Sequence, residues 1–249
     1  MPIHTFSYIA EGSDVSEEKW VDLVNDVTGA TPHKVKATAE DLARDLDRIV
    51  SVQGEPFGST SIYAQYRVFK LARDSGVTVT LDGQGADELL AGYSGYPGQR
   101  LLSLFEGGRY GAMHGFAKRW GEWPDRSYRQ AWMYLGRSVF PDGLYARARK
   151  VLGRDFRPAW LKADLLRDAG VEFRETRPVF QPANRKRRVI EQLARSLQVR
   201  GLPHLLRHGD RNAMAFSIES RVPFLTIPMA ELLLSLPEDY LISDTGETK

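Results

Sequence analysis

Residues 77–91 place a strand pattern, a glycine-rich turn and a helix-forming run directly after one another. Residues 77–81 alternate apolar and hydroxyl side chains, which is typical of a strand, and residues 86–91 are good helix formers. The loop between them, residues 82–85, reads Asp-Gly-Gln-Gly. Because ligands bind outside the carboxyl ends of parallel strands, this order predicts a ligand site at the loop. Taken alone, a Gly-x-Gly loop is equally typical of a plain turn.

The residues of this stretch indicate what such a ligand would be. Glycine lets the backbone approach a bound group closely. Asp87 and Glu88 follow the loop at the start of the helix. Carboxylates of this kind suit a Mg²⁺ ion that is held together with substrate phosphates. A phosphate-bearing substrate with Mg²⁺ is therefore the first hypothesis for the site.

The order of strand and helix patterns predicts the fold class. Up to the loop, short apolar strands alternate with helices, one of which ends at Gly29 and carries an apolar stripe of Trp20, Leu23, Val24 and Val27. Strands linked by helical crossovers predict an α/β fold with a doubly wound parallel sheet. From about Gly95, aromatic and basic residues dominate and the pattern becomes helical. We therefore expect two parts, residues 1–94 and residues 95–249, of which the second is mainly helical.

Composition excludes several classes of function. The 34 basic and 32 acidic residues leave a net charge of +2, which gives no field that would favour nucleic acid or a membrane surface. No apolar run approaches the roughly 20 residues that a membrane span needs, and no signal-peptide pattern is visible, so we expect a cytoplasmic protein. With zero cysteines, disulfides, thiolate metal sites and a cysteine nucleophile are all excluded.

Two longer runs make the assignment more specific. Residues 81–93, LDGQGADELLAGY, and residues 217–225, SIESRVPFL, resemble the asparagine synthetase family. Residues 236–240, LPEDY, followed by Thr248 and Lys249, are similar to the segment that leads to that family's active-site lysine. The resemblance implies a sheet of the ATP-pyrophosphatase (adenine nucleotide α-hydrolase-like) type. In that arrangement residues 1–94 are the nucleotide-binding part of a synthetase domain, and residues 95–249 are its mainly helical part.

The resemblance also implies a reaction and its partners. ATP transfers AMP to the side-chain carboxylate of aspartate, and ammonia then displaces AMP to give asparagine. ATP and Mg²⁺ are the implied cofactors. Ammonia would come from a glutaminase domain, which in glutamine-hydrolysing members uses an N-terminal cysteine that this chain does not contain. No nucleic acid or membrane partner is implied, and a homodimer is compatible with the resemblance.

Each site residue takes its role from the matching family position. The resemblance makes Asp87 the Mg²⁺ ligand, supported by Glu88, and makes Lys249 the catalytic residue that contacts the phosphates. Three positions are implied to lie against the adenylate, namely Tyr8, Asp82 and Gly83. Gln84 stands where many members carry a glutamate that is a candidate base for the attacking ammonia. Glutamine cannot accept a proton at neutral pH, although it can hydrogen-bond an amine or a carboxylate.

Departures from the family pattern leave alternatives open. The family's pyrophosphate loop, Ser-Gly-Gly-x-Asp-Ser, precedes the strand that matches Phe6 and Ser7, so we expect this chain to be a fragment that is inactive alone. Because of Gln84, the acceptor is open between aspartate and another carboxylate. A non-catalytic nucleotide-binding module is the alternative from a different class.

Three further features have both a functional and a structural interpretation. Arg221 is a candidate substrate contact, but a buried structural network with Glu219 is the more typical role. His204 and His208 have the spacing of two metal ligands on one helix face, without a clear third ligand. The basic run of residues 185–188 is more typical of a solvated helix face than of a phosphate site.

Overall fold

The structure is a computed structural model that describes residues 3–10, 12, 16–93, 96–140, 162–171, 180–199 and 201–248. The chain forms two compact units. The first unit comprises Met1–Gly85 and Leu197–Ala230, and the second comprises Ala86–Ser196 and Glu231–Lys249. None of the described helices is both long enough and apolar enough to cross a membrane.

The first unit begins with a β-α-β arrangement. Strand β1 (His4–Tyr8) pairs in parallel with β2 (Thr31–Val35), and helix α1 (Glu18–Thr28) connects them. As the sequence predicts, α1 ends at Gly29, whose φ of 65° is a left-handed conformation that glycine adopts without strain. The N–H of Gly29 donates to the carbonyl of Asn25 and so closes the last turn.

The apolar stripe of α1 does not pack as an amphipathic core helix would. Trp20, Leu23 and Val24 are exposed, and Val27 retains 79% of its surface. Asn25 is instead the buried residue of this helix, and its side-chain oxygen accepts a hydrogen bond of 2.7 Å from Thr5. The helix was predicted correctly, whereas the face that it buries was not.

A second pair of strands carries the two long motifs. Strand β3 (Val79–Leu81) pairs in parallel with β4 (Glu219–Arg221), so that Leu81 lies opposite Arg221. Helices α2 (Ala39–Gln53), α3 (Thr60–Asp74) and α10 (Leu202–Met214) complete the unit. The fold is thus a mixed, helix-rich α/β fold with parallel strands. Among the described residues the strands form two two-stranded sheets, β1–β2 and β3–β4.

Apolar side chains from helices and strands hold the first unit together. One cluster joins α3 to α10 and the approach to β4 through Phe69, Ala72, Ala213 and Ile218. Phe6 of β1 and Val77 before β3 pack against the same cluster. A second cluster joins α2 to α3 through Ile49, Tyr63 and Tyr66. The helices α3 and α10 therefore support the strands whose carboxyl ends carry the predicted site.

The second unit is mainly helical, and its described residues also contain an isolated antiparallel bridge between Ile242 and Thr248. Its helices are α4 (Ala86–Leu90), α5 (Pro97–Glu106), α6 (Tyr110–Trp120), α7 (Tyr128–Val139), α8 (Ala163–Asp168), α9 (Arg188–Gln198) and α12 (Glu238–Leu241), and α11 (Ile227–Ser235) begins in the first unit and ends in the second. A single large core lies among α5, α6, α7 and α9 and includes Leu101, Phe116, Ala131, Leu193 and Ile242. Residues 197–230, which carry the end of α9, helix α10 and strand β4, belong to the first unit.

Charged side chains are buried beside this core. Glu238, at the start of α12, receives hydrogen bonds from Arg100 (3.1 Å), Ser103 (2.9 Å) and the N–H of Val189 (2.8 Å). Burial raises the pKa of Glu238, and these donors oppose that rise. Arg188 is buried as well, and it pairs with Glu106 at 2.7 Å and Glu191 at 2.8 Å. The prediction of a solvated helix face for residues 185–188 is therefore wrong at Arg188.

Candidate active site

The loop of residues 82–85 leaves the carboxyl end of β3 in the first unit. The N–H of Asp82 donates to the carbonyl of Arg221 at 2.7 Å, which continues the β3–β4 pairing by one residue into the loop. The two motifs are therefore joined by backbone pairing, in which Leu81 lies opposite Arg221, 140 positions later in the sequence. The sequence order of strand, loop and helix is confirmed, although β3 is a strand of only three residues, 79–81.

The two glycines of the loop have different surroundings. A Cβ atom added to Gly83 would meet nothing within 4 Å. At Gly85, whose φ is +92°, an added Cβ would lie 2.2 Å from Cδ2 of Leu225. Gly85 is therefore required for the backbone conformation and for packing against Leu225. Gly83 instead borders open space, where a ligand could approach the backbone.

Asp82 is a half-buried carboxylate surrounded by donors. Burial raises the pKa of its side chain, while the N–H groups of Gln84 and Gly83 and the side chains of Gln84 and Gln65 act in the opposite direction. Burial has the larger effect, so the pKa of Asp82 lies above its ordinary value. Gln84 therefore contributes a neutral amide next to an acidic group, where a glutamate would add a second negative charge.

Asp87 and Glu88 open α4, the helix with which the second unit begins. The side chain of Asp87 is exposed, whereas Glu88 retains only 2% of its surface. The hydroxyl of Tyr93 donates to Oε1 of Glu88 at 2.9 Å. Burial, followed by this contact with Glu88, raises the pKa of Tyr93 above its usual range, so the hydroxyl keeps its proton. Of the two carboxylates, Asp87 is available to a ligand and Glu88 is held inside the fold.

The carboxylates of the site can be compared with the ligands that Mg²⁺ requires. Among the described residues, no group of three or more His, Cys, Asp or Glu side chains could hold a metal ion. An all-protein metal cage is therefore not formed by this part of the chain. Mg²⁺ in nucleotide sites typically uses one or two carboxylates together with substrate phosphates and water. The exposed carboxylate of Asp87 fits that second arrangement.

Tyr8 and Arg221 both end strands of the first unit. Tyr8 is half-buried at the carboxyl end of β1. Arg221 ends β4, and its Nε lies 2.7 Å from Oε1 of Glu219. The predicted pairing is confirmed, but the predicted burial is wrong, since the two side chains are 61% and 60% exposed. Residues two apart on a strand share one face, and on this face the opposing Leu81 is exposed too.

Lys249 lies outside the described residues, but the turn that leads to it is well defined within the second unit. The indole N–H of Trp123 donates to the carbonyl of Thr245 at 2.9 Å, and Arg119 donates to the carbonyl of Asp244 at 3.0 Å. A Cβ added to Gly246, whose φ is +79°, would lie 2.5 Å from the ring of Trp120. Sequence reasoning did not identify these anchoring residues, because their contacts span more than 100 positions.

His208 takes part in a polar network of the first unit. Its Nδ1 lies 2.7 Å from Oε1 of Gln53, and the amide nitrogen of Gln53 donates to Asn212 at 2.7 Å. Burial lowers the pKa of His208. This arrangement supports the structural interpretation of the His204 and His208 pair.

The first unit therefore holds Tyr8, Asp82, Gly83, Gln84 and Arg221, and the second unit holds Asp87 and Glu88. Parallel strands that end in an acidic, glycine-containing loop define an α/β protein of the kind that binds ligands at strand termini. The chain belongs to the asparagine synthase family, since the sequence profile of that family, described as asparagine synthase, matches residues 1–249.

A relative from Methanocaldococcus jannaschii (strain ATCC 43067 / DSM 2661 / JAL-1 / JCM 10045 / NBRC 100440) is named "Putative asparagine synthetase (glutamine-hydrolyzing) 2". It is 34% identical to this chain over 91 residues. The match covers 36% of this chain and 17% of the relative, so the chain corresponds to well under two thirds of that protein.

Proposed function

We propose that this chain is the ATP-using synthetase part of an asparagine synthetase-type ligase. In the proposed reaction, an oxygen of the aspartate side-chain carboxylate attacks the α-phosphorus of ATP and pyrophosphate leaves. Ammonia then attacks the activated carbonyl carbon, and AMP departs with the oxygen that came from the carboxylate. The observation that carries the proposal is the loop of residues 82–85, which ends a parallel strand with open space at Gly83 and a donor-rich carboxylate at Asp82.

The residues of the first unit would bind the adenylate part of the nucleotide. Gly83 would let the ligand approach the backbone, and Asp82 would accept hydrogen bonds from ribose hydroxyls. The backbone of Tyr8 would contact adenine. The support for these roles is that Tyr8 and Asp82 lie at the carboxyl ends of β1 and β3, where ligands of parallel sheets bind.

Asp87 and Lys249 would act on the phosphates. Mg²⁺, when bound, would neutralise the charge that develops on pyrophosphate as it leaves. Asp87 would hold that ion through its exposed carboxylate, with Glu88 supporting the helix that carries it. Lys249 would contact the same phosphates, as the family resemblance implies.

Gln84 favours a second candidate function, which differs from the first in the acceptor carboxylate. The side-chain amide of Gln84 hydrogen-bonds the carboxylate of Asp82. An amide cannot accept a proton from ammonia at neutral pH. A ligase that adenylates a different carboxylate, with Arg221 as its carboxylate contact, is therefore the second candidate. The exposed guanidinium of Arg221 could bind such a group in bidentate fashion if it released Glu219.

The arrangement of the strands in one sheet belongs to the same proposal. We infer that β1–β2 and β3–β4 belong to one doubly wound sheet of the ATP-pyrophosphatase type. Residues 1–94 would form its nucleotide-binding part, and residues 95–249 its mainly helical part. The parallel pairing of both strand pairs supports this inference. Ammonia would come from a glutaminase domain, the protein would act in the cytoplasm, and a homodimer is compatible with these roles.

An oxygen-transfer experiment tests the proposed reaction directly. The protein made from its complete coding sequence would be incubated with ATP, Mg²⁺ and ammonia. The aspartate in this reaction would carry ¹⁸O in its side-chain carboxylate. The proposal predicts AMP that contains one ¹⁸O, together with pyrophosphate and asparagine. Formation of ADP and phosphate would contradict adenylation. Labelled AMP with another carboxylic acid, but not with aspartate, would favour the second candidate.

A further inference from the structure

The residues after α4 fold back along the helix that carries Asp87 and Glu88. Ala91 has a φ of 60°, a left-handed conformation that reverses the chain at the helix end. The N–H of Gly92 then donates to the carbonyl of Asp87 at 3.0 Å. As a result, Gly92 packs against Asp87, and Tyr93 reaches Glu88. Each carboxylate of the Asp-Glu pair is thus contacted by the residue five positions later.

The contact between Gly92 and Asp87 leaves no room for a side chain. A Cβ atom built on Gly92 would lie 1.9 Å from Oδ1 of Asp87 and 2.7 Å from its Cγ. Gly92 does not have a positive φ, so its backbone conformation is one that other residues also adopt. The need for glycine at this position therefore comes from the Asp87 carboxylate, which occupies the space that a side chain would fill.

We propose that Gly92 is a positioning residue for the Asp87 carboxylate. The missing side chain allows that carboxylate to lie in the turn after α4, in the orientation that the site requires. Any side chain at position 92 would force the carboxylate to rotate away. The functional consequence rests on the proposed function, in which Asp87 holds Mg²⁺ with the nucleotide phosphates. Tyr93 positions the neighbouring carboxylate, Glu88, by donating a hydrogen bond of 2.9 Å to it.

The contrast with another tight glycine shows why the fold should survive a change at Gly92. At Gly121, an added Cβ would lie 2.3 Å from the backbone nitrogen of Tyr128, so the backbone itself would have to move. At Gly92 the two nearest atoms belong to the side chain of Asp87, which is exposed and can rotate toward solvent. The nearest backbone atom, the Cα of Asp87, is 3.1 Å away and needs only a small adjustment.

A double-mutant cycle on the protein as encoded distinguishes positioning from a general structural role. The variants are Gly92→Ala, Asp87→Ala and their combination. Gly111→Ala is the matched control, because a Cβ at this glycine of α6 meets nothing within 4 Å. Each variant would be assayed for Mg²⁺-dependent exchange of pyrophosphate into ATP in the presence of the acceptor acid. Thermal unfolding would report whether each variant is folded.

We expect Gly92→Ala to lower exchange about 100-fold while the protein stays folded, because a displacement of about 1 Å in a catalytic group can have that effect. In the Asp87→Ala background, Gly92→Ala should cause no further loss, since the carboxylate that it displaces is gone. Gly111→Ala should exchange like the wild type. Unchanged exchange in Gly92→Ala, or a further loss in the double variant, would overturn the inference.

A crystal structure of Gly92→Ala provides a readout that does not depend on activity. The inference predicts that the Asp87 carboxylate leaves the turn after α4 while α4 itself keeps its course. A carboxylate that stays in place, with the backbone shifted instead, would overturn it. If the wild type exchanges pyrophosphate with no acid at all, the proposed function fails, and this structure still decides the role of Gly92.

Discussion

The two units bury polar groups in different ways. In the first unit, the wholly buried polar pair is neutral, since Gln53 and Asn212 are both 0% exposed and hydrogen-bond each other at 2.7 Å. In the second unit most of the buried polar residues are charged, and Ser103 is the neutral exception among the described residues. Arg100 pairs with Glu238, and Arg188 pairs with Glu106 and Glu191. Both units pair these residues, although Nε of Arg100 has no hydrogen-bond partner, and the two units use different chemistry.

This difference bears on how each unit should respond to substitution. Loss of a neutral partner leaves an unpaired donor or acceptor, which costs about 1–3 kcal/mol. Loss of one member of a buried ion pair leaves an uncompensated charge, which costs about 3–5 kcal/mol. We therefore expect the second unit to be the more sensitive to single polar substitutions. Single substitutions in each unit test that expectation.

Arg100→Ala is expected to have the largest effect on stability. It leaves the buried carboxylate of Glu238 without its cation, so the free energy of unfolding should fall by about 3–5 kcal/mol in urea denaturation. Arg109→Ala is the control, because Arg109 is an exposed partner of Asp239 at 3.4 Å and should contribute about 1 kcal/mol or less. Similar losses in both variants would contradict a special role for the buried pair.

Asn212→Leu should destabilise the protein by a smaller amount. The side chain of Asn212 bonds to Gln53, to the carbonyl of Ile62 and to Gln65, and leucine of similar size removes all three hydrogen bonds. We expect a loss of about 1–3 kcal/mol in the same assay. Lys70→Ala, which removes the exposed pair with Asp74, should cost no more than about 0.5 kcal/mol. A loss as large as that of Arg100→Ala would remove the distinction between the units.

Gly85→Ala separates steric requirements from polar ones within the first unit. The φ of +92° and the contact with Leu225 predict a loss of about 1–2 kcal/mol in urea denaturation. Gly83→Ala, which meets open space, should leave the stability almost unchanged and instead weaken ATP binding in calorimetry. Equal destabilisation by the two substitutions would mean that the glycines do not have different roles.

The smallest expected effect is the pH dependence of an exposed helix cap. The N–H of Thr38 and then Arg44 lower the pKa of Asp41 to about 2. Since the folded pKa lies below the ordinary value of 3.8, Asp41 contributes stability above about pH 4 that is lost as the pH falls toward 2. Asp41→Asn should therefore flatten the fall of the melting temperature between pH 4 and pH 2. An unchanged pH profile would contradict this assignment.

Local features of the fold could be predicted from the sequence because their causes are local. Gly29 ends α1, and the strand before Asp82 leads into a loop and then a helix, as the pattern indicates. The resemblance of residues 81–93 and 217–225 to one family also holds over the whole chain. Asp82 and Gly83 fall on one loop simply because they are adjacent in the sequence.

The remaining features depend on contacts between distant residues. Arg188 belongs to a basic run that is typical of a solvated face, and its burial follows only from Glu106 and Glu191 nearby in space. Likewise, the residues around Arg221 do not reveal from the sequence that its face of β4 is exposed. The different roles of Gly83 and Gly85 could not be predicted, because Leu225 reaches only one of them.

Mg²⁺-dependent ATP–pyrophosphate exchange tests the proposed adenylation most directly. It would be measured on the protein made from its complete coding sequence, with aspartate and with a panel of other carboxylic acids. Wild type and Asp87→Ala would be compared at equal concentration, with Gly111→Ala as the folded control. The account predicts exchange with at least one acid that is lost in Asp87→Ala and kept in Gly111→Ala. Equal exchange in Asp87→Ala, or no exchange with any acid by a folded wild type, would contradict it.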